Sequence, residues 1–352
     1  MAINGKVVFA SGASADFDIW RLNLDNGELK QLTYGNDFNI FPRWSPDGSK
    51  IVYISTQDDQ VPSIWVMHAN GDRKTKLTSN IYCQFPSWSP DGSSIIFTGN
   101  AQDPNEIEVC SIALDGSPAK RLFKYKGIEE TPSYSPDGKK IIFSAQTHGK
   151  VGSHPNRDSD IVEYSLAEKE FKVLCTHPAK DYSPVYSPDG SKVAFISHRK
   201  EKTAEQYHEK YLKFRELITN GSNMEARNAI RDMRKFESDG DIFIMNSDGS
   251  SIKQLTTSSS LDNGVCWSPC GNYLMYTSTP KSNNEIDRLK IIDANSGSNI
   301  SLSYDRTPLE KEIGAFQVLN RTITQKIIPD FLERLFMSGC FWGEERHPHW
   351  ID

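Results

Sequence analysis

Short apolar runs recur along this chain, each set off by a polar turn rich in proline and glycine. The runs are Ile51-Val52-Tyr53-Ile54, Ile95-Ile96-Phe97, Ile141-Ile142-Phe143, Val193-Ala194-Phe195-Ile196 and Leu274-Met275-Tyr276. They are too short for helices and rich in β-branched and aromatic residues, so they read as buried strands. Just ahead of them stand Trp44-Ser45-Pro46-Asp47-Gly48, Trp88-Ser89-Pro90-Asp91-Gly92, Tyr134-Ser135-Pro136-Asp137-Gly138, Tyr186-Ser187-Pro188-Asp189-Gly190 and Trp267-Ser268-Pro269-Cys270-Gly271. Pro-Asp-Gly is turn chemistry, and the fifth copy has lost its Asp. A second turn follows each second apolar segment: Asp25-Asn26-Gly27, Ala69-Asn70-Gly71, Asp115-Gly116, Asp248-Gly249 and Ser296-Gly297. Asn-Gly and Asp-Gly are strong hairpin signals.

Each copy therefore predicts four short antiparallel strands, which in the second copy fall at 41–45, 51–55, 64–67 and 74–77. The marked aromatics stand at 44, 88, 134, 186 and 267, so the first intervals fit a blade-sized repeat and the last holds a repeat plus an insertion. A lone four-stranded sheet cannot cover both of its apolar faces, but blades stacked around a ring can. The chain begins mid-repeat, at Lys6-Val7-Val8-Phe9, and stops mid-repeat, at His347-Pro348-His349-Trp350. Joining the two ends completes one copy. The expected fold is all-β: a six-bladed β-propeller, residues 1–352, closed by the C-terminal strand joining the N-terminal blade.

Two insertions interrupt the pattern. Across 199–238 the period changes to helical, with Tyr207, Tyr211, Phe214 and Ile218 on one stripe and Ala226, Ala229, Ile230, Met233 and Phe236 on another. This predicts an inserted helical hairpin in blade five, with a mixed-charge solvated face. Residues 304–343 form a second, partly helical insertion before the closing strand, with a short helix at 330–337 bounded by Pro329 and Gly339. A long polar loop, 146–158, interrupts blade four. In a four-stranded meander all three leave from the same face, which should also hold the starts of the inner strands. Function is expected on that elaborated face.

These repeats resemble those of the TolB-type β-propeller family, whose hallmark is an aromatic-Ser-Pro-Asp-Gly turn before an apolar strand and a Leu-Thr near the blade end. Leu32-Thr33, Leu77-Thr78 and Leu255-Thr256 match the last feature. The resemblance implies the fold more than an activity, since similar propellers occur in TolB, in prolyl-oligopeptidase-type peptidases and in oligogalacturonate lyases. The N-terminal α/β domain of TolB is missing here, as are room for a hydrolase domain and a Gly-x-Ser-x-Gly elbow. A net charge of −6 argues against nucleic acid as the partner. No apolar stretch approaches the roughly 20 residues of a membrane span. Without a visible signal peptide the expected compartment is the cytoplasm, or the periplasm if a leader has been removed. The six cysteines lack metal-ligand spacing and read as free, mostly buried thiols.

The sharpest candidate chemistry is Glu344-Glu345-Arg346-His347-Pro348-His349. Two histidines at alternate strand positions share a face, and with Glu344 they form a candidate divalent-metal set at the channel mouth. The stretch is similar to a His-Pro-His segment of the oligogalacturonate lyases, with Glu344 where that family has a Gln. His148, His154 and His177 are the spare histidines for a further ligand. Arg43, Glu129, Glu130, Asp181, Asp262 and Glu345 precede or begin inner strands and are candidate ligand-binding residues of the mouth. The alternative for these is a solvated rim. Gly339-Cys340-Phe341-Trp342-Gly343-Glu344 resembles the motif of A-type methionine sulfoxide reductases, but the α/β domain that motif needs is missing, so packing is the expected role. No complete catalytic set is visible. The expected function is non-catalytic binding of a protein or glycan partner; the alternative is a metal-dependent, carbohydrate-active lyase.

Overall fold

The structure, a computed structural model, describes residues 5–11, 17–58, 61–103, 106–125, 127, 129–145, 159–177, 179–199, 240–257, 260–279, 288–300 and 349–351, with the isolated positions 213, 216 and 225. Six four-stranded antiparallel sheets account for its strands. The first comprises β1 (Lys6–Ser11), β2 (Asp18–Asn23) and β3 (Leu29–Gln31), and the second β4 (Asn39–Trp44), β5 (Lys50–Ser55), β6 (Ser63–His68) and β7 (Thr75–Lys76). The third holds β8 (Cys83–Trp88), β9 (Ser94–Gly99), β10 (Glu108–Ala113) and β11 (Lys120–Arg121). The fourth holds β12 (Glu129–Tyr134), β13 (Lys140–Ala145), β14 (Asp160–Ser165) and β15 (Phe171–Cys175). The fifth holds β16 (Asp181–Tyr186), β17 (Lys192–Ser197), β18 (Asp241–Asn246) and β19 (Lys253–Gln254). The sixth holds β20 (Leu261–Trp267), β21 (Tyr273–Thr279), β22 (Arg288–Asp293) and β23 (Asn299–Ile300). The last strand, β24 (His349–Ile351), completes the first sheet in the order β24-β1-β2-β3. Its register is Lys6 opposite Ile351, Val7 opposite Trp350 and Val8 opposite His349. The closure read from the two ends of the chain is thus present.

The first strands of successive blades touch one another around the whole ring, β24 to β4 to β8 to β12 to β16 to β20 and back to β24. They are the inner wall. The apolar core is divided among the seams between blades. Val8, Ile19 and Leu32 of blade one meet Trp44, Tyr53 and Trp65 of blade two. Val7, Phe9 and Leu22 of blade one meet Cys266, Met275 and Ile291 of blade six, which closes the circle with the same kind of contact. Every second strand is buried on both faces, which is why those strands read as unbroken apolar runs.

The repeated turns are fixed by short hydrogen bonds. Ser45 Oγ donates to Asp47 Oδ1 at 2.6 Å, and the same carboxylate accepts the Ser49 amide at 3.0 Å. The Gly48 amide donates to the Ser45 carbonyl at 2.9 Å, with φ of 68° at Gly48, a conformation that favours glycine. These turns also stack: a Cβ on Gly92 would lie 3.8 Å from Pro46 of the preceding blade, and one on Gly138 3.6 Å from Pro90. At the other end the Leu-Thr pairs tie the outer strand to the third. Thr33 Oγ1 accepts the Ile19 amide at 2.8 Å, Thr78 Oγ1 the Ile64 amide at 2.8 Å and Thr256 Oγ1 the Ile242 amide at 2.9 Å.

Of the expected hairpin at 199–238, the structure describes Arg199 and three positions, Lys213, Glu216 and Glu225, each helical and exposed. The rest of that hairpin, the blade-four loop 146–158 and the insertion 304–343 lie outside the described residues.

Candidate functional site

The inner strands share one local design that places the channel wall. Phe41, Phe85, Thr131, Ser183 and Gly264 occupy the same position in their blades, and all have positive φ, between 50° and 64°. Each sits in a register break of the first hairpin, between Ile40 and Arg43, Gln84 and Ser87, Glu130 and Ser133, Tyr182 and Val185, and Asn263 and Cys266. These are β-bulges, in which two inner residues oppose one on the second strand. In four of the five blades the next residue is proline, Pro42, Pro86, Pro132 and Pro184. Proline suits a bulge because its missing N–H is not needed by the ladder. Left-handed φ at four non-glycine residues costs on the order of 1 kcal/mol or more apiece, which the stacked blades must offset.

The bulged residues and their followers line the channel: Arg43, Ser87, Thr131, Ser133, Ser183 and Val185 stand on its wall with Phe85 and Cys266. The cavity there measures about 80 Å³. That is room for about five waters, in a narrow well whose wall mixes Arg43 and the hydroxyls with Phe85, Val185, Val265 and the bulge prolines. Trp88 Nε1 donates to the Arg43 carbonyl at 3.1 Å and Trp267 Nε1 to the Val185 carbonyl at 3.1 Å. Trp88 and Trp267 therefore pin their inner strands to the preceding blade's channel-lining residue.

The first residue of the inner strand behaves differently. Glu129, Asp181 and Asp262 have 0% exposure. They lie in the seams instead of forming a polar ring at the mouth. The register explains this: the bulge reverses which side of the strand faces the channel, so residues from the bulge onward reach the wall. Each buried group has a local partner. Asn39 Nδ2 donates to Asp18 Oδ1 at 3.2 Å, and Ser278 Oγ donates to Asp262 Oδ1 at 2.7 Å. Cys83 lies 3.4 Å from Thr78 Oγ1. Glu129 Oε1 accepts the Tyr125 amide at 2.6 Å.

Asp181 is the centre of a buried cluster. Arg199 Nη2 donates to Asp181 Oδ2 and, at 2.9 Å, to Cys175 Sγ. The Cys175 thiol donates to the same Asp181 oxygen at 3.3 Å. The guanidinium lies 5.5 Å from the Phe195 ring centre and 5.4 Å from that of Phe243, within cation–π range. Burial pushes the Asp181 carboxyl up, and Arg199 draws it back. Burial also pushes the Cys175 thiol up to about 12. Beside it, burial and then the Arg199 charge bring His177 down to about 4, and His177 Nδ1 accepts the Ala179 amide at 3.0 Å. This imidazole is neutral through the physiological range.

Among the remaining candidates, Glu130 is half-buried and lies 3.8 Å from Lys180 Nζ, which also sits 4.6 Å from the Tyr182 ring centre. His349 occupies the strand position opposite Val8 that Arg43 occupies opposite Val52. Glu344, Glu345 and His347 lie outside the described residues, as do His148 and His154 and the segment Gly339–Glu344. No group of three or more His, Cys, Asp or Glu suited to a metal occurs among the described residues. The hydroxyl-bearing wall, Ser87, Thr131, Ser133 and Ser183, was not anticipated from the sequence. Its signal was the repeated residue-Pro-residue-aromatic string ahead of each Ser-Pro-Asp-Gly turn.

A six-bladed ring with bulged inner strands around a narrow channel defines the class of protein. Residues 4–127 match the sequence model of the TolB beta propeller domain. The fold is that of a TolB-like β-propeller. TolB from Acinetobacter baumannii superposes with a TM-score of 0.62 at 22% identity, over 84% of this chain and 62% of that one. A TolB-type protein from Agrobacterium tumefaciens gives 0.57 at 17% identity, over 85% of this chain and 89% of that one. Kuenenia stuttgartiensis hydrazine synthase gives 0.59 at 12% identity, over 86% of this chain and 45% of that one. Such likeness carries the fold alone. The chain spans less than two thirds of the length of the Acinetobacter protein. No curated protein matches the chain. Among the described residues no helix is long and apolar enough to cross a membrane.

Proposed function

We propose that this chain is a binding propeller that engages a protein partner at the channel and the loop-bearing face around it. The observation that supports this is the composition of the channel wall. Arg43, Ser87, Thr131, Ser133 and Ser183 come from four blades and converge on one small well. Hydroxyls and a guanidinium can donate to carbonyl or carboxylate oxygens of an entering peptide, and they need no bound group to do so. The carboxylates that could serve as acid and base, Glu129, Asp181 and Asp262, are turned into the seams. Rigid walls keep the ordering cost of binding low.

The test is site-specific photo-crosslinking in cells from two positions, Thr131 on the channel wall and Asp115 in an exposed hairpin turn of the opposite face. Capture of the same protein species from Thr131 and not from Asp115, abolished by Arg43→Glu, supports the reading. Capture of identical species from both positions overturns it. A glycan partner is separated by binding of the purified chain to immobilised oligosaccharides, which Arg43→Glu should also abolish.

A second reading is a metal-dependent, carbohydrate-cleaving enzyme that uses Glu344, His347 and His349. One observation favours it: His349 holds the strand position equivalent to channel-lining Arg43. At that level the described neighbours are Arg43, Ser87, Ser133, Val185 and Cys266. They include a cation and no carboxylate, so the described wall adds no hard ligand, and the fit rests on the three residues themselves. Elemental analysis of the purified protein beside the His347→Ala/His349→Ala variant decides it. Near-stoichiometric transition metal lost in the variant supports this reading, and absence of metal from both after incubation with divalent ions rejects it.

A further inference from the structure

We propose that Glu129 is a proton-operated latch in the seam between blades three and four. The repeat itself supplies the argument. At the equivalent position of the other described blades, the buried group is compensated by a side chain: Asn39 by Asp18, Cys83 by Thr78, Asp181 by Arg199 and Cys175, and Asp262 by Ser278. Glu129 is equally buried, at 0% exposure, yet a single backbone amide, that of Tyr125, serves its Oε1. Its Oε2 is buried with no hydrogen-bond partner. A charge in such a place lacks the donors that a carboxylate needs.

The surrounding groups do not repair this. Across the seam stands a second buried carboxylate, Glu108 on β10, at 4% exposure. Arg121 on β11 bonds Glu108 at 3.1 Å, and Lys124 bonds Glu106 at 2.5 Å and lies 3.7 Å from Glu108. The nearby cations are thus committed to other acids. The Cys110 thiol, also on β10, is itself pushed up, chiefly by burial. On its own blade Glu129 stands opposite Ala145 of β13, whose other neighbour is Asp160 of β14. Burial first, and then Glu108, raise the Glu129 carboxyl to about 7, against the pull of the Tyr125 amide and Lys124.

At acid pH the neutral carboxyl closes the seam and holds Tyr125. As pH rises through neutrality the group ionises, and the favoured response is entry of water between blades three and four. The next residues, Glu130 and Thr131, lead directly to the channel wall. The sign follows from proton binding. The folded state keeps a proton that the unfolded chain has lost, so stability falls as pH rises from the ordinary value, 4.5, to about 7, and is level above it.

The experiment compares urea unfolding of the wild-type chain and Glu129→Gln from about pH 5 to about pH 8. The isosteric amide keeps the acceptor for Tyr125 and cannot ionise. The ratio of folding constants, variant over wild type, should climb about tenfold per pH unit below the transition and flatten above neutrality. Glu108→Gln should move that transition to lower pH, because a like charge has been removed. A flat ratio across the range, or a transition unmoved by Glu108→Gln, overturns the proposal. Should Glu129→Gln fail to fold, the wild-type carboxyl can be followed directly by 13C NMR. A midpoint near neutrality supports the latch, and an ordinary glutamate midpoint overturns it.

Discussion

Replacing Arg199 by alanine isolates one fully buried carboxylate, Asp181. Asp181 is fully enclosed, and its main donor is the Arg199 guanidinium, whose side chain is 14% exposed. Among the described residues, removing the guanidinium leaves the carboxylate with the Cys175 thiol and the β17 end beside it. The variant will hold Asp181 protonated in place of a bare charge. Keeping a proton at pH 7 on a group whose ordinary value is 3.8 costs about 4 kcal/mol, at 1.36 kcal/mol per unit. That figure caps the electrostatic loss, and lost stacking on Phe195 and Phe243 adds about 0.5–1 kcal/mol. The expected destabilisation at pH 7 is therefore about 3–5 kcal/mol, as for other broken buried pairs. It must depend on pH. In the variant the folded carboxyl is raised further than in the wild type, so the loss grows as pH rises through that window. As acid protonates Asp181 in the wild type too, the difference shrinks toward the stacking contribution. Urea unfolding followed by tryptophan fluorescence at pH 4.5, 6 and 8 measures this. The double variant Asp181→Asn/Arg199→Met should recover most of the loss. A loss under about 1 kcal/mol, or one that is constant with pH, would refute the reasoning, because it would mean that Arg199 and Asp181 are solvated.

Blade six offers a gain. Cys270 stands where four other turns have Asp, so Ser268 Oγ meets a thiol at 3.3 Å in place of a carboxylate; Cys270→Asp should restore the Ser–Asp and amide–Asp bonds and raise stability by about 1 kcal/mol, read from the urea midpoint. Two turn glycines separate backbone strain from collision: a Cβ on Gly249 would lie 2.3 Å from the Leu174 carbonyl, whereas Gly116, at a similar φ of 87°, has nothing within 4 Å. Gly249→Ala should cost more than Gly116→Ala by about 1–3 kcal/mol in parallel melts; equal losses would place the effect in φ alone. Removal of residues 347–352 takes away β24, exposes the edge of β1 and should cost more than about 4 kcal/mol, with aggregation on heating as the visible sign. The turn aspartates respond to acid: hydrogen bonds from Ser45 and Ser49 hold Asp47 down to about 2, so their contribution is full above the ordinary value of 3.8 and is lost as pH falls from there to about 2. A 13C titration of Asp47 that ends near its ordinary value would contradict those bonds.

The ring was legible in the sequence because its period is carried by residues with local reasons to be there. Pro46, Asp47 and Gly48 make a turn whatever surrounds them, and the run Ile51-Val52-Tyr53-Ile54 has to be buried on both sides. Closure was legible for the same reason, since Trp350 and Val7 each lack the other half of a repeat, and the structure pairs them. The site was less legible. Glu129, Asp181 and Asp262 are expected at a mouth because they stand at the starts of inner strands. Alternation fails at the bulge, where Thr131 and Ser183 adopt positive φ and shift the pattern by one. Bulges of this kind depend on contacts with neighbouring inner strands, which no single repeat contains. Arg199 reads in the sequence as the first residue of an inserted segment, and its contacts with Asp181, Cys175, Phe195 and Phe243 show that it belongs to the blade.

The bulge also explains how one strand serves both stability and recognition. Residues before it face a seam, where a polar side chain must find a partner or shed its charge, so substitutions there come in compensated sets such as Asp181 with Arg199. Residues after it face the well, where water can satisfy any polar group, so Arg43, Ser87, Ser133, Val185 and Cys266 can differ in kind without disturbing the blade. Variation of the wall is therefore decoupled from variation of the seam, and specificity can change without loss of the ring. Glu129 is the exception that gives the two sides a connection. It lies before the bulge but lacks a compensating side chain, and it adjoins Glu130 and Thr131, so its protonation is positioned to reach the channel wall.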